Sequence, residues 1–216
     1  MKPIKAVLFD MDGLMIDSEP LNFKAWKKVL KKYDIHLKKD EYNQRYVGIP
    51  DKDGTEDLVA RYSLSVSAEK LSQTKRKLYT RLLQTKLVPQ PGLIDLLISL
   101  HKVGYKTAIG SGSSLEEIQM VIKGLAIYHL IDSYCSAEEV NKGKPAPDTY
   151  LELAKRLDVD PAECLVLEDA PPGVQAAKAA EMLCFAIPSN ETKNLDFSLA
   201  DKVLNSLSEV FALINT

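Results

Sequence analysis

Residues 18–87 contain no convincing strand, although strand-like runs stand on both sides of them. Phe23, Trp26, Val29, Leu30 and Tyr33 recur at helical spacing, and Leu71, Leu78, Leu82 and Leu83 do so again later. Outside that stretch short apolar runs alternate with helical patterns, which argues for an α/β fold with a largely parallel, Rossmann-like sheet. The strand candidates are Lys5–Phe9, Lys106–Gly110, Cys164–Leu167 and Leu183–Ile187, with a weaker one at Ser133–Cys135. Except for the last, these runs show little polar alternation, as strands covered on both faces should. Helical stripes occupy Gly92–Val103, Leu115–Leu125, Ala146–Leu157 and Val174–Ala180. The expected organisation is therefore an α/β core of residues 1–17 and 88–216, with an all-helical domain of residues 18–87 inserted after the first strand. Pro89-Gln90-Pro91-Gly92 is the stiff, turn-prone return point.

Charge narrows the function classes. Lys and Arg total 28 against 30 Asp and Glu, a formal net charge of -2, which gives no electrostatic case for nucleic acid or an anionic membrane. No apolar run approaches the ~20 residues of a membrane span, and Met1–Lys5 leads into the first strand with no signal-peptide pattern. Cys135, Cys164 and Cys184 show no ligand spacing and read as small buried thiols of a reduced compartment. A cytoplasmic protein without a protein partner is the expectation.

In an open parallel sheet, ligands bind beyond the carboxyl ends of the strands. The segments at those ends are Asp10-Met11-Asp12-Gly13, Ser111-Gly112-Ser113-Ser114, the loop Lys142–Pro147, and Glu168-Asp169. Together they assemble acids, hydroxyls with glycine, a lysine and further acids at one edge. Each has a use in phosphoryl transfer. A carboxylate can attack phosphorus and form an aspartyl phosphate. Crowded carboxylates beside a phosphate need a hard divalent cation between them, and Mg2+ suits oxygen ligands, so Asp10 and Asp169 are candidate ligands. Ser114-x-x-Glu117 fits a capping box, and the helix start with Gly112 nearby is an anion site to which Ser111 adds a hydroxyl. Lys144, in a loop restricted by prolines on either side of Ala146, supplies a point charge for phosphoryl oxygens.

"FDMDGLMIDSEP", the serine of "GSGSS", "GKPAPD" and "LEDAPPGV" resemble, in order, the motifs of the haloacid dehalogenase superfamily. The nearest subgroup is the β-phosphoglucomutase-like phosphohydrolases, whose helical cap sits where residues 18–87 sit. The resemblance implies a magnesium-dependent phosphatase of a small phosphorylated metabolite. Asp10 would be nucleophile and metal ligand; Asp12 would lend its carbonyl to the metal and its side chain as general acid, then base. Ser111 and Lys144 would bind the phosphoryl group, Asp169 the metal, and Glu168 would stand in its first or second shell. Asp12 argues for phosphate esters over haloacids, because an alkoxide needs a proton and a halide does not.

The helical insert is less legible. Lys27, Lys28, Lys31 and Lys32 read as a solvated face, and Lys75-Arg76-Lys77 as similar, with Lys77 alone carried over by resemblance as a phosphate contact. The loop Gly48–Lys52 is a candidate for reading the substrate. The mutase members carry a histidine where this chain has Asn22, kept as a substrate-binding candidate, and an arginine about where Asp51 falls. The acid at that place weakens the mutase reading, which stands as the alternative. A receiver-like signalling domain is a weaker rival, since receivers lack the inserted helices, and a non-catalytic phosphate binder is another.

Overall fold

The computed structural model describes residues 3–47, 49 and 51–215, with only the backbone given for residues 85 and 86. The chain divides into two compact units, Ser18–Leu87 and the remainder, Met1–Asp17 with Val88–Thr216.

The unit Ser18–Leu87 is helical: α1 (Glu19–Leu30), α2 (Lys39–Arg45), α3 (Asp51–Arg61) and α4 (Ala68–Lys86). Its core is made of Trp26, Val29, Leu30, Leu37, Tyr42, Tyr46, Leu58 and Leu71. The apolar stripe of α1 supplies the first three, and α4 packs along α1. Tyr33, expected on that stripe, lies past the helix end in a short 3-10 turn and is 37% exposed. Lys75 also departs from expectation. It is buried on α4, its Nζ is 2.9 Å from Asp51 Oδ1, and it stands 5.7 Å from the Trp26 ring centroid and 5.1 Å from that of Tyr79. Aromatic faces and one carboxylate replace the water a lysine ordinarily keeps.

The other unit is built on a sheet of six parallel strands, β1 (Ala6–Phe9), β2 (Lys106–Ser111), β3 (Ser133–Ser136), β4 (Cys164–Glu168), β5 (Leu183–Ala186) and β6 (Lys202–Val203), in the order β3-β2-β1-β4-β5-β6. Between and after them run α5 (Leu93–Val103), α6 (Leu115–Gly124), α7 (Asp148–Leu157), α8 (Pro171–Ala179) and α9 (Val210–Ile214). This is the α/β, Rossmann-like architecture that the alternating pattern implies. β1 lies at the centre, with Leu8 in register with Ala108 on one side and Val166 on the other. Ala6, Leu8, Ala108, Val166 and Cys184 share one face, where they meet Tyr150, Leu153, Val174 and Ala177 of α7 and α8. The three cysteines are free and buried.

In this unit two features differ from the sequence expectation. β6 was not anticipated, because two exposed residues carry no apolar pattern. Pro171-Pro172-Gly173, which precedes the expected helical stripe Val174–Ala180, is the first turn of α8, where proline's missing N–H costs nothing. The start of α6 does carry the expected capping box of Ser114 and Glu117.

Removing the side chain of Leu8, fully buried in the central strand, should leave a cavity that a close-packed sheet cannot fill. Leu8→Ala is expected to destabilise the protein by about 3 kcal/mol, measured as the shift of the urea unfolding midpoint at unchanged slope.

Candidate active site

The carboxyl edge of the sheet lies at the ends of β1, β2 and β4, and the strand order brings these three side by side. β1 ends at Phe9, so Asp10 is the first residue past it; its N–H still donates to the Leu167 carbonyl at 3.0 Å, which holds it beside β4. Asp12 then bridges to Ile16, and the Gly13 N–H donates to the Ile16 carbonyl at 2.9 Å, closing a tight loop. Gln90 steadies the loop by donating to the Gly13 carbonyl at 2.9 Å.

Gly13 has a further reason to be glycine. Its φ is +90°, and a Cβ there would lie 2.1 Å from Asp169 Oδ2. The absent side chain is the space into which the Asp169 carboxylate fits. Gly173 does the same for Glu168: a Cβ would stand 1.6 Å from Oε1.

Asp10, Glu168 and Asp169 are all buried, and one oxygen from each lies within 4.8 Å of the others. Lys144 reaches into this group. Its ammonium donates to Asp10 Oδ1 at 2.5 Å, Glu168 Oε1 at 2.7 Å and the Gly110 carbonyl at 2.9 Å, using all three protons. Its Nζ also lies 4.8 Å from the ring centroid of Tyr150, whose hydroxyl donates to the same Glu168 oxygen at 2.8 Å. Glu168 Oε2 accepts the N–H groups of Asp169 and Ala170 at 3.0 and 3.1 Å. Glu168 thus receives four donors, two on each oxygen.

Charge does not balance here. Three buried carboxylates face one buried ammonium, and the pKa values of Asp10, Asp169 and Lys144 respond. Burial pushes the Asp10 carboxyl up, to about 8, against the lowering pull of Lys144, with Glu168 and Asp12 adding to the rise. Asp169 is likewise driven well above the carboxylate range by burial and then by Asp10 and Glu168, while a hydrogen bond from Ser189 works the other way. For Lys144, burial disfavours the ammonium, but Asp10 and Glu168 outweigh it and its pKa is raised. All-oxygen donors with unmet negative charge are what a hard divalent cation requires, so the residues fit Mg2+.

The serine loop stands beside them. Ser111, buried at the end of β2, has its hydroxyl 3.4 Å from Asp12 Oδ2 and accepts the Ser113 N–H at 3.0 Å. Gly112 is exposed, and a Cβ on it would meet only open space, so the chain here leaves room for a ligand. The structure therefore gathers Asp10, Asp12, Ser111, Gly112, Lys144, Glu168 and Asp169 at one edge. Asn22 and Lys77 belong to the helical unit, where Lys77 is exposed on α4 and the side-chain oxygen of Asn22 is buried without a hydrogen-bond partner. Of the loop 48–52, Gly48 and Pro50 lie outside the described residues. Two participants carried no sequence signal, Tyr150, which reads as one more residue of an apolar stripe, and Ser189; Ser113, read only as part of the serine loop, donates to Asp12.

Sheet and edge together make a Rossmann-like α/β domain with an acidic, oxygen-lined site at the carboxyl ends of its strands. The family of haloacid dehalogenase-like hydrolases matches residues 7–187. A bifunctional riboflavin kinase/FMN phosphatase of Arabidopsis thaliana is 34% identical over 209 residues, 94% of this chain but only 54% of that protein, so the chain spans about half of that relative. A β-phosphoglucomutase of Bacillus subtilis is 33% identical over 193 residues, 85% of this chain and 83% of the enzyme. The crystal structure of CbbY from Rhodobacter sphaeroides in complex with phosphate superposes with a TM-score of 0.84 at 25% identity, covering 95% of this chain and 96% of that one. The chain belongs to the haloacid dehalogenase-like hydrolase family, in its β-phosphoglucomutase-like phosphatase branch.

Because the Gly13 Cβ position and its φ are both excluded to other residues, Gly13→Ala must displace Asp169. Phosphatase activity is expected to fall roughly a hundredfold, since small misplacements of site groups cost that much, while the far-UV circular dichroism spectrum is kept.

Proposed function

We propose that this protein is a magnesium-dependent phosphomonoester hydrolase acting on a small phosphorylated metabolite, a sugar phosphate or nucleotide-like phosphate, through an aspartyl phosphate on Asp10. The observation that carries the reading is the Lys144 ammonium held 2.5 Å from Asp10 Oδ1 at the edge where Asp169 also converges. Asp10 and Asp169 would hold Mg2+ with the Asp12 carbonyl. Glu168, whose four donors already occupy its carboxylate, would act behind Lys144. The metal would supply charge neutralisation, letting Asp10 stay ionised next to a phosphate.

The chain's own residues then divide the work. The Asp10 carboxylate attacks phosphorus, the bond to the leaving oxygen breaks, and that oxygen takes the proton of Asp12. Lys144 and the Ser111 hydroxyl hold the phosphoryl oxygens as charge develops. Asp12, now a carboxylate, takes a proton from water; the water oxygen attacks phosphorus and the bond to Asp10 breaks. Inorganic phosphate leaves and both aspartates return to their starting states.

The helical unit would act as a cap, with Asn22, Lys77 and the segment around Asp51 reading the substrate. Asp51 supports a phosphatase over the alternative, a phosphosugar mutase. A mutase needs a cation in the cap for a second phosphate, whereas the Asp51 carboxylate is held by Lys75 at 2.9 Å and by the Ser72 hydroxyl at 2.9 Å. The free buried thiols fit a cytoplasmic setting, and no described helix is long and apolar enough to cross a membrane.

With Mg2+ the protein should release phosphate from p-nitrophenyl phosphate, and chelation should abolish this until Mg2+ is restored. Asp10→Asn, which keeps the shape and removes the nucleophile, should lower turnover by at least about a thousandfold; turnover unchanged in that variant would remove the nucleophile assignment. Supplied with β-glucose 1-phosphate, the enzyme should yield free phosphate. Rapid formation of glucose 6-phosphate without phosphate release would establish the mutase instead.

A further inference from the structure

Ser113 follows the end of β2 and precedes Ser114, the cap of α6. Its hydroxyl donates to Asp12 Oδ2 at 2.6 Å, closer than the Ser111 hydroxyl at 3.4 Å. The residue is fixed from two further directions. Its N–H donates to Ser111 Oγ at 3.0 Å, and its carbonyl accepts the hydroxyl of Ser136, fully buried at the end of β3, at 2.7 Å. The other partner is fixed as well, since the Asp12 backbone is bridged to Ile16. A short hydrogen bond thus joins two points, each held by its own strand end.

We infer that Ser113 is a positioning residue for Asp12, an inference that rests on the reading of Asp12 as general acid and base. Holding Oδ2 fixes the plane of the carboxyl group and hence the direction in which the side chain offers its proton. That matters only when the leaving oxygen needs one. An alkoxide leaving from a sugar or polyol phosphate must be protonated as the bond to phosphorus breaks, whereas p-nitrophenolate leaves as a stable anion. A loss of orientation at Asp12 therefore shows itself as a dependence on the leaving group, and a general loss of folding does not.

The test compares kcat/KM for β-glycerol phosphate and p-nitrophenyl phosphate in the wild type, Ser113→Ala, Ser113→Thr and Asp12→Asn, each with saturating Mg2+. The ratio kcat/KM covers only the steps through departure of the leaving group, so the later attack of water does not enter. Ser113→Ala is expected to lose roughly tenfold more on the alkyl phosphate than on the aryl one, within the range a positioned acid supplies. Ser113→Thr, which keeps the hydroxyl, is expected to restore most of that difference. Equal losses on both substrates in Ser113→Ala, or no loss, would overturn the inference while a leaving-group dependence in Asp12→Asn upheld the acid role. Absence of that dependence in Asp12→Asn itself would remove the acid role and the inference with it.

Discussion

The active edge depends on one ammonium group. Lys144 stands between Asp10 and Glu168, with the Gly110 carbonyl taking its third proton and the Tyr150 ring beneath it. Burying a carboxylate without a partner is prohibitive, and this edge buries three. One lysine cannot neutralise them. Burial first, and then the neighbouring acids, raises the pKa values of Asp10 and Asp169, and the oxygen-lined cluster is of a kind that fits a hard divalent cation.

Around that lysine the packing is arranged by absences as much as by contacts. Gly13 and Gly173 leave the space that the Asp169 and Glu168 carboxylates fill. Gly110 lets α7 approach β2, since a Cβ there would stand 3.0 Å from Leu153 and 3.2 Å from Tyr150. The approach brings Tyr150 under Lys144, so the fit of a helix on a sheet sets the place of the buried ammonium. On the other side of Asp10 the Ser136 hydroxyl donates to the Ser113 carbonyl and the Ser113 hydroxyl donates to Asp12, which links the ends of β3 and β1 across β2.

Much of this was legible in the chain before folding. The apolar runs of β1, β2, β4 and β5 announce themselves because parallel strands are covered on both faces and cannot carry alternating polar residues. What failed to show were features without a local pattern. β6 is two exposed residues, and Pro171-Pro172-Gly173 looks like a break yet makes a helix's first turn. Lys75 looks like one of a run of surface charges, but Trp26, Tyr79 and Asp51 together shelter it. For Lys75, Trp26 and Asp51 lie far along the chain, where no local pattern could announce them.

By itself, the sequence determined the α/β class, the inserted helices, and the acids, serines and lysine that follow the strands, because hydrophobic periodicity and strand-end position are properties of neighbours along the chain. Tertiary structure alone decided which of these groups meet. Asp10 and Lys144 are 134 residues apart, and only the placing of β1 between β2 and β4 makes them partners. It also decided that Glu168 turns to Lys144 and Tyr150, and that Ser113 rather than Ser111 takes the closer hold on Asp12. Direction of a side chain and distance across a sheet are fixed by packing, and no spacing in the sequence encodes them.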